Sequence, residues 1–116
     1  MHTDLETLTA EAWRLSGLLD KGIQALRHAA VEYAECEHRY RAAKAMAYLE
    51  TESGTVAERE AHVYALVGDL RRHRDLADGG KVAALEAVRS RRTQLSALQS
   101  ILAAYRSEAE FARTGP

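Results

Sequence analysis

Residues 5–47, LETLTAEAWRLSGLLDKGIQALRHAAVEYAECEHRYRAAKAMA, decide the fold. Thirteen of them recur at spacings of three and four: Leu5, Leu8, Ala12, Leu15, Leu19, Gly22, Leu26, Ala29, Tyr33, Cys36, Tyr40, Ala43 and Ala47. None of the thirteen carries a charge. Such a stripe follows one side of an α-helix and lets a long helix bury a narrow seam against a partner helix. The stripe reports how the chain is built and says little about its chemistry.

The remaining sequence supplies helix ends. Thr3 followed by Glu6 reads as a capping box, in which the hydroxyl accepts a free amide hydrogen and the glutamate reaches back. The same arrangement recurs at Thr55 and Glu58, directly after Gly54. Glycine tolerates the positive φ that closes a helix, so Ser53-Gly54-Thr55 ends one helix and opens the next. Gly79-Gly80 reads as a second break. Helices are therefore expected at about 4–53, 56–78 and 81–113 of a single helical domain spanning 1–116. The fold class is all-α, three long helices in antiparallel hairpins, coiled-coil-like and oligomeric. A break at Gly17 or Gly22 gives the alternative, a monomer bent into a four-helix bundle.

Three helices of unequal length carry a consequence. A second helix ending near residue 78 covers only about half of the first. Leu5, Leu8, Leu15, Leu19 and Leu26 then lack a partner within the chain. Each leucine left in water forgoes roughly 1.5–3 kcal/mol. These five, with Trp13 beside the seam as an interface anchor, form the expected self-association surface of a homo-oligomer.

Composition sets outer limits. Alanine, leucine, glutamate and arginine dominate, and Pro116 is the sole proline. Residues 1–53 hold six Lys/Arg against nine Asp/Glu, whereas residues 81–116 hold six against three. The nearly balanced total argues against indiscriminate coating of nucleic acid, while the basic C-terminal stretch is the better anion binder. One cysteine, Cys36, cannot form an internal disulfide, which fits a reducing compartment. No signal peptide and no apolar run near the ~20 residues of a membrane span are visible, so a cytoplasmic protein without membrane contact is expected.

Catalytic patterns are missing. Glu35-x-x-His38 occurs once, whereas di-iron bundles need that step twice with two further inward carboxylates. His28, Glu32 and Glu35 share a helix face, but closed zinc sites want four ligands, and a His28–Glu32 pair is the simpler account. Cys36 lies in the seam and reads as a small buried hydrophobe. Gly79-Gly80-Lys81 is too short to cradle phosphate, and no serine elbow is present. No catalytic residue, metal, cofactor or small-molecule substrate is assigned. Tyr33, Tyr40, Tyr48, Tyr64 and Tyr105 read as dispersed packing residues that form no stacking surface.

One cluster stands out. Arg71, Arg72 and Arg74 precede the glycine pair, and Arg89, Arg91 and Arg92 follow it at a similar distance. A hairpin turn at 79–80 sets residue 71 level with residue 88 and gathers the six arginines into one band. Arginine's planar fork suits phosphate oxygens, so weak DNA binding is one expectation. Nearby Asp69, Asp75, Asp78 and Glu86 oppose it.

Glu32-Tyr33-Ala34, Tyr40 through Ala45, Gly54 through Arg59 and above all Ala83 through Phe111 resemble a family of small helical phage and prophage early-region proteins. The likeness covers roughly residues 30–113. It implies a phage-encoded protein in the bacterial host cytoplasm, accessory to DNA recombination or replication, and it supplies no catalytic residue. Early regions also encode host-takeover proteins, so the alternative is a host-directed inhibitor or adaptor that presents a helical face to a bacterial protein. Either way a non-enzymatic protein with a phage or host protein partner is expected.

Overall fold

The computed structural model describes residues 4–115. It is all-helical, as the stripe requires, but it has two long helices: α1, Leu5–Glu50, and α2, Val56–Thr114. The expected three helices do not form, and neither does the four-helix bundle. α1 runs unbroken through Gly17 and Gly22, and α2 runs unbroken through Gly79-Gly80.

The seam explains why the glycine pair does not turn. Along α2 a series of buried and half-buried positions, with Arg59, Gly68 and Leu85 half-buried beside it, runs through Val63, Val67, Leu70, Arg74, Ala77, Lys81, Ala84, Val88, Arg91, Leu95, Leu98 and Leu102. Their three-four spacing passes the glycine pair without a skip, and Gly79 and Gly80 fall on the exposed side. Holding two glycines in a helix costs about 2 kcal/mol. Breaking there would misdirect Val88, Leu98 and Leu102, each buried and each contributing roughly 1.5–3 kcal/mol. Burial wins. Neither glycine takes a positive φ, and Asp78 and Lys81 pair across them at 3.9 Å.

The chain divides into two compact units, Met1–Ala25 with Leu85–Pro116, and Leu26–Ala84. In the first unit the two helices run antiparallel, with Leu15, Val88, Leu98 and Leu102 buried. Twelve of the thirteen stripe positions on α1 are buried or half-buried, the exception being Leu5 at 42% exposure. The leucines expected to lack an intrachain partner mostly have one. Leu15 is only 6% exposed, and Leu8, Leu19 and Leu26 are half-buried. The length mismatch that isolated them disappears because α2 continues to Thr114.

The second unit is a helical hairpin with a core of Tyr40, Ala47, Val63 and Val67, flanked by Ala43, Tyr48 and Leu70. Its turn forms as the sequence indicates. Gly54 has φ +105°, and Thr55 Oγ1 accepts the Glu58 amide hydrogen at 3.2 Å. The last turn of α1 holds no basic residue, so Arg59 of α2 serves it, donating to the carbonyls of Thr51 (2.8 Å) and Tyr48 (3.4 Å). At the other end the Thr3 cap lies outside the described residues. Asp4 caps the helix there, its Oδ1 accepting the Thr7 amide hydrogen at 2.7 Å. No helix among the described residues is long and apolar enough to cross a membrane.

Candidate functional site

Three cations occupy seam positions of α2, and each has a matched feature on α1. Arg74 lies 4.5 Å from the Tyr40 ring centroid and pairs with Glu37 (3.5 Å) and Asp75 (2.8 Å). The Asp75 hydrogen bond, reinforced by the charge of Glu37, holds its guanidinium more firmly protonated than usual. Lys81 sits 4.1 Å from the Tyr33 ring centroid. Arg91 Nη1 donates to the Leu18 carbonyl at 3.2 Å, beside the bare backbone of Gly22. Tyrosine faces attract desolvated cations, so these side chains bury their stems while keeping partners for their charges.

The six arginines do not form the expected band, because the turn that set residue 71 level with residue 88 is absent. Arg71, Arg72 and Arg74 belong to one compact unit, and Arg89, Arg91 and Arg92 to the other. Arg74 and Arg91 are committed to the seam, and Arg89 pairs with Glu86 at 3.5 Å. Arg71, Arg72 and Arg92 are exposed and outside ion-pair distance of any carboxylate among the described residues.

Each unit carries a cleft between its two helices in which aromatic and cationic side chains meet. In the first unit Ala12 and Trp13 of α1 face Leu95, Leu102 and Arg106 of α2 across a cleft of about 270 Å³. Trp13 stands on its edge with 74% of its surface exposed. The side chain expected to anchor an interface is therefore free, whereas Leu15 beside it is spent inside the chain. In the second unit Tyr40, Tyr48 and Tyr64 line one cleft of about 260 Å³ together with Lys44 and Arg71. Three tyrosines read from the sequence as dispersed are thus brought together. The signal was available: positions 40, 44 and 48 share a face of α1, and 64 and 71 share a face of α2.

The candidate metal and thiol residues have local partners. Glu35 pairs with Arg39 at 3.6 Å, and Glu32 accepts a hydrogen bond from the Cys36 thiol at 3.6 Å; no His28–Glu32 ion pair forms among the described residues. Burial, then the nearby Glu32 carboxylate, pushes the Cys36 thiol above its ordinary range, which keeps it protonated and a poor nucleophile. Among the described residues no group of three or more His, Cys, Asp or Glu side chains is placed to hold a metal ion.

No protein-family model, curated protein or solved structure matches this chain.

Proposed function

We propose that this chain is a non-enzymatic, phage-encoded helical protein that acts by macromolecular interaction, pairing with a second copy through its first unit and serving DNA recombination or replication as an accessory in the host cytoplasm. The exposed Trp13 indole beside an apolar cleft carries this reading. One patch offers both a protruding ring and a recess floored by Leu95 and Leu102. Two copies related by a twofold axis can each insert the indole into the other's recess, as an isologous interface requires. Tryptophan and arginine dominate interface energetics, and Arg106 stands on the same cleft. The phage setting and the DNA process come from the resemblance alone.

Light scattering at micromolar concentration tests the assembly. A dimer mass that falls to the monomer mass on Trp13→Ala, with helicity unchanged, supports self-pairing. A wild-type monomer that captures a bacterial protein in a Trp13-dependent manner selects the host-directed adaptor instead.

A further inference from the structure

The second unit carries a cleft whose chemistry differs from the Trp13 patch. We propose that it binds single-stranded nucleic acid, the Tyr64 ring stacking on a base while Lys44 and Arg71 contact phosphates. Val63 and Val67, both buried, form its floor, so the groups around it stand on packed helix. Tyr64 is 60% exposed, and the Arg71 guanidinium carbon lies 5.3 Å from its ring centroid. The Lys44 ammonium lies 5.7 Å from the Tyr40 centroid.

Charge separates these cations from the others near them. Arg74, also against Tyr40, is already matched by Glu37 and Asp75. Lys44 and Arg71 have no carboxylate within ion-pair distance among the described residues. Two unmatched cations beside an exposed aromatic ring suit a polymer that alternates anions with flat π faces. Single-stranded nucleic acid is such a polymer, and ring stacking with cationic backbone contacts is how it is bound without sequence preference. A duplex keeps its base faces in the stack, and an acidic peptide has none, so either would engage the cations and leave Tyr64 idle. Glu60 also lines the cleft and repels phosphate, which limits affinity. The inference does not rest on self-pairing, since the two surfaces lie in different units.

Fluorescence anisotropy of a labelled oligothymidylate with the full chain at about 50 mM salt tests it, where electrostatic binding is strong. Binding is expected, weaker for a matched duplex, with a salt slope of about −0.7 per phosphate neutralised. Lys44→Gln with Arg71→Gln should flatten that slope by roughly 1.4 for the two contacts. Tyr64→Ala should weaken binding roughly tenfold and leave the slope unchanged. Tyr64→Leu, which keeps apolar bulk at this exposed position, should weaken it as well, and Glu60→Gln should tighten it. The proposal is overturned by absence of binding, by equal affinity for the duplex, by equally effective competition from polyglutamate, or by wild-type affinity in both Tyr64 variants. Light scattering on the same samples reports self-pairing separately.

Discussion

A single methyl group distinguishes two glycines of α1. At Gly17 an added Cβ meets nothing within 4 Å, whereas at Gly22 it would meet Arg91 Nη1 at 3.3 Å and Val88 Cγ2 at 3.4 Å. Gly17→Ala should therefore stabilise the protein by roughly 0.5–1 kcal/mol through the lost freedom of the unfolded chain. Gly22→Ala should gain less, because Arg91 Nη1 and Val88 Cγ2 must each give by a few tenths of an ångström to admit the methyl group, which offsets part of the same entropic gain. Chemical denaturation should show the larger stabilisation for Gly17→Ala; equal stabilisation of the two variants would mean that Arg91 and Val88 do not crowd Gly22. Asp4 gives a second test at this scale. Hydrogen bonds from Thr7 hold its carboxyl below the ordinary value of 3.8. A lowered folded-state value means that its contribution is fully present above that ordinary value and is lost as pH falls through the folded value. Acidification from above pH 3.8 to below the lowered folded-state value should fray the first turn. Asp4→Asn keeps an acceptor at the cap and should remove this part of the pH dependence, read by amide exchange at Thr7.

At the scale of elements, α1 was legible in the sequence and α2 was only half so. The α1 stripe contains nothing charged, and all of it except Leu5 is covered. The α2 stripe contains Arg74, Lys81 and Arg91, so an apolar pattern breaks where the helix does not. Polar residues fit a seam when the partner offers tyrosine faces or a glycine gap, which only the paired helices reveal. The same charged interruption of the apolar stripe makes Gly79-Gly80 resemble a break, leaves the N-terminal leucines without an apparent partner and places six arginines in an apparent band. The tyrosine cleft was hidden for the related reason that its walls come from two helices. Gly79→Ala and Gly80→Ala discriminate the two topologies. Both positions have open space and no positive φ, so each variant should gain roughly 0.5–1 kcal/mol, whereas a turn there would make alanine costly. At the true turn the signs reverse. Gly54 has φ +105° and an added Cβ would lie 2.8 Å from Glu58 Oε2, so Gly54→Val should cost roughly 1–2 kcal/mol. Thr55→Ala should cost about 1 kcal/mol by removing the cap. Thermal midpoints of the four variants check the pattern.

For the molecule as a whole, the question is which apolar side chains belong to the fold and which to a partner. Two paired helices have only one seam each to bury, and side chains such as Trp13, Tyr64 and Phe111 stay exposed on the outer faces. Leu15 and Trp13, two residues apart, fall on opposite sides of this division. Leu15→Asp would place a charge in the seam beside Leu98 with no partner, and burying an unpaired carboxylate costs several kcal/mol. That variant should lose helicity and melt at markedly lower temperature at every protein concentration. Trp13→Ala removes a mostly exposed ring, so it should keep full helicity, and under the proposed self-pairing its mass distribution should shift toward monomer. If wild type self-pairs, its thermal midpoint should rise with protein concentration by mass action, and the Trp13→Ala midpoint should not. Circular dichroism melts over a hundredfold concentration range, read beside scattering masses, separate these outcomes. Concentration-independent midpoints in both would mean that Trp13 does not mediate self-pairing, while full helicity in Leu15→Asp would mean that the seam described for the first unit is wrong.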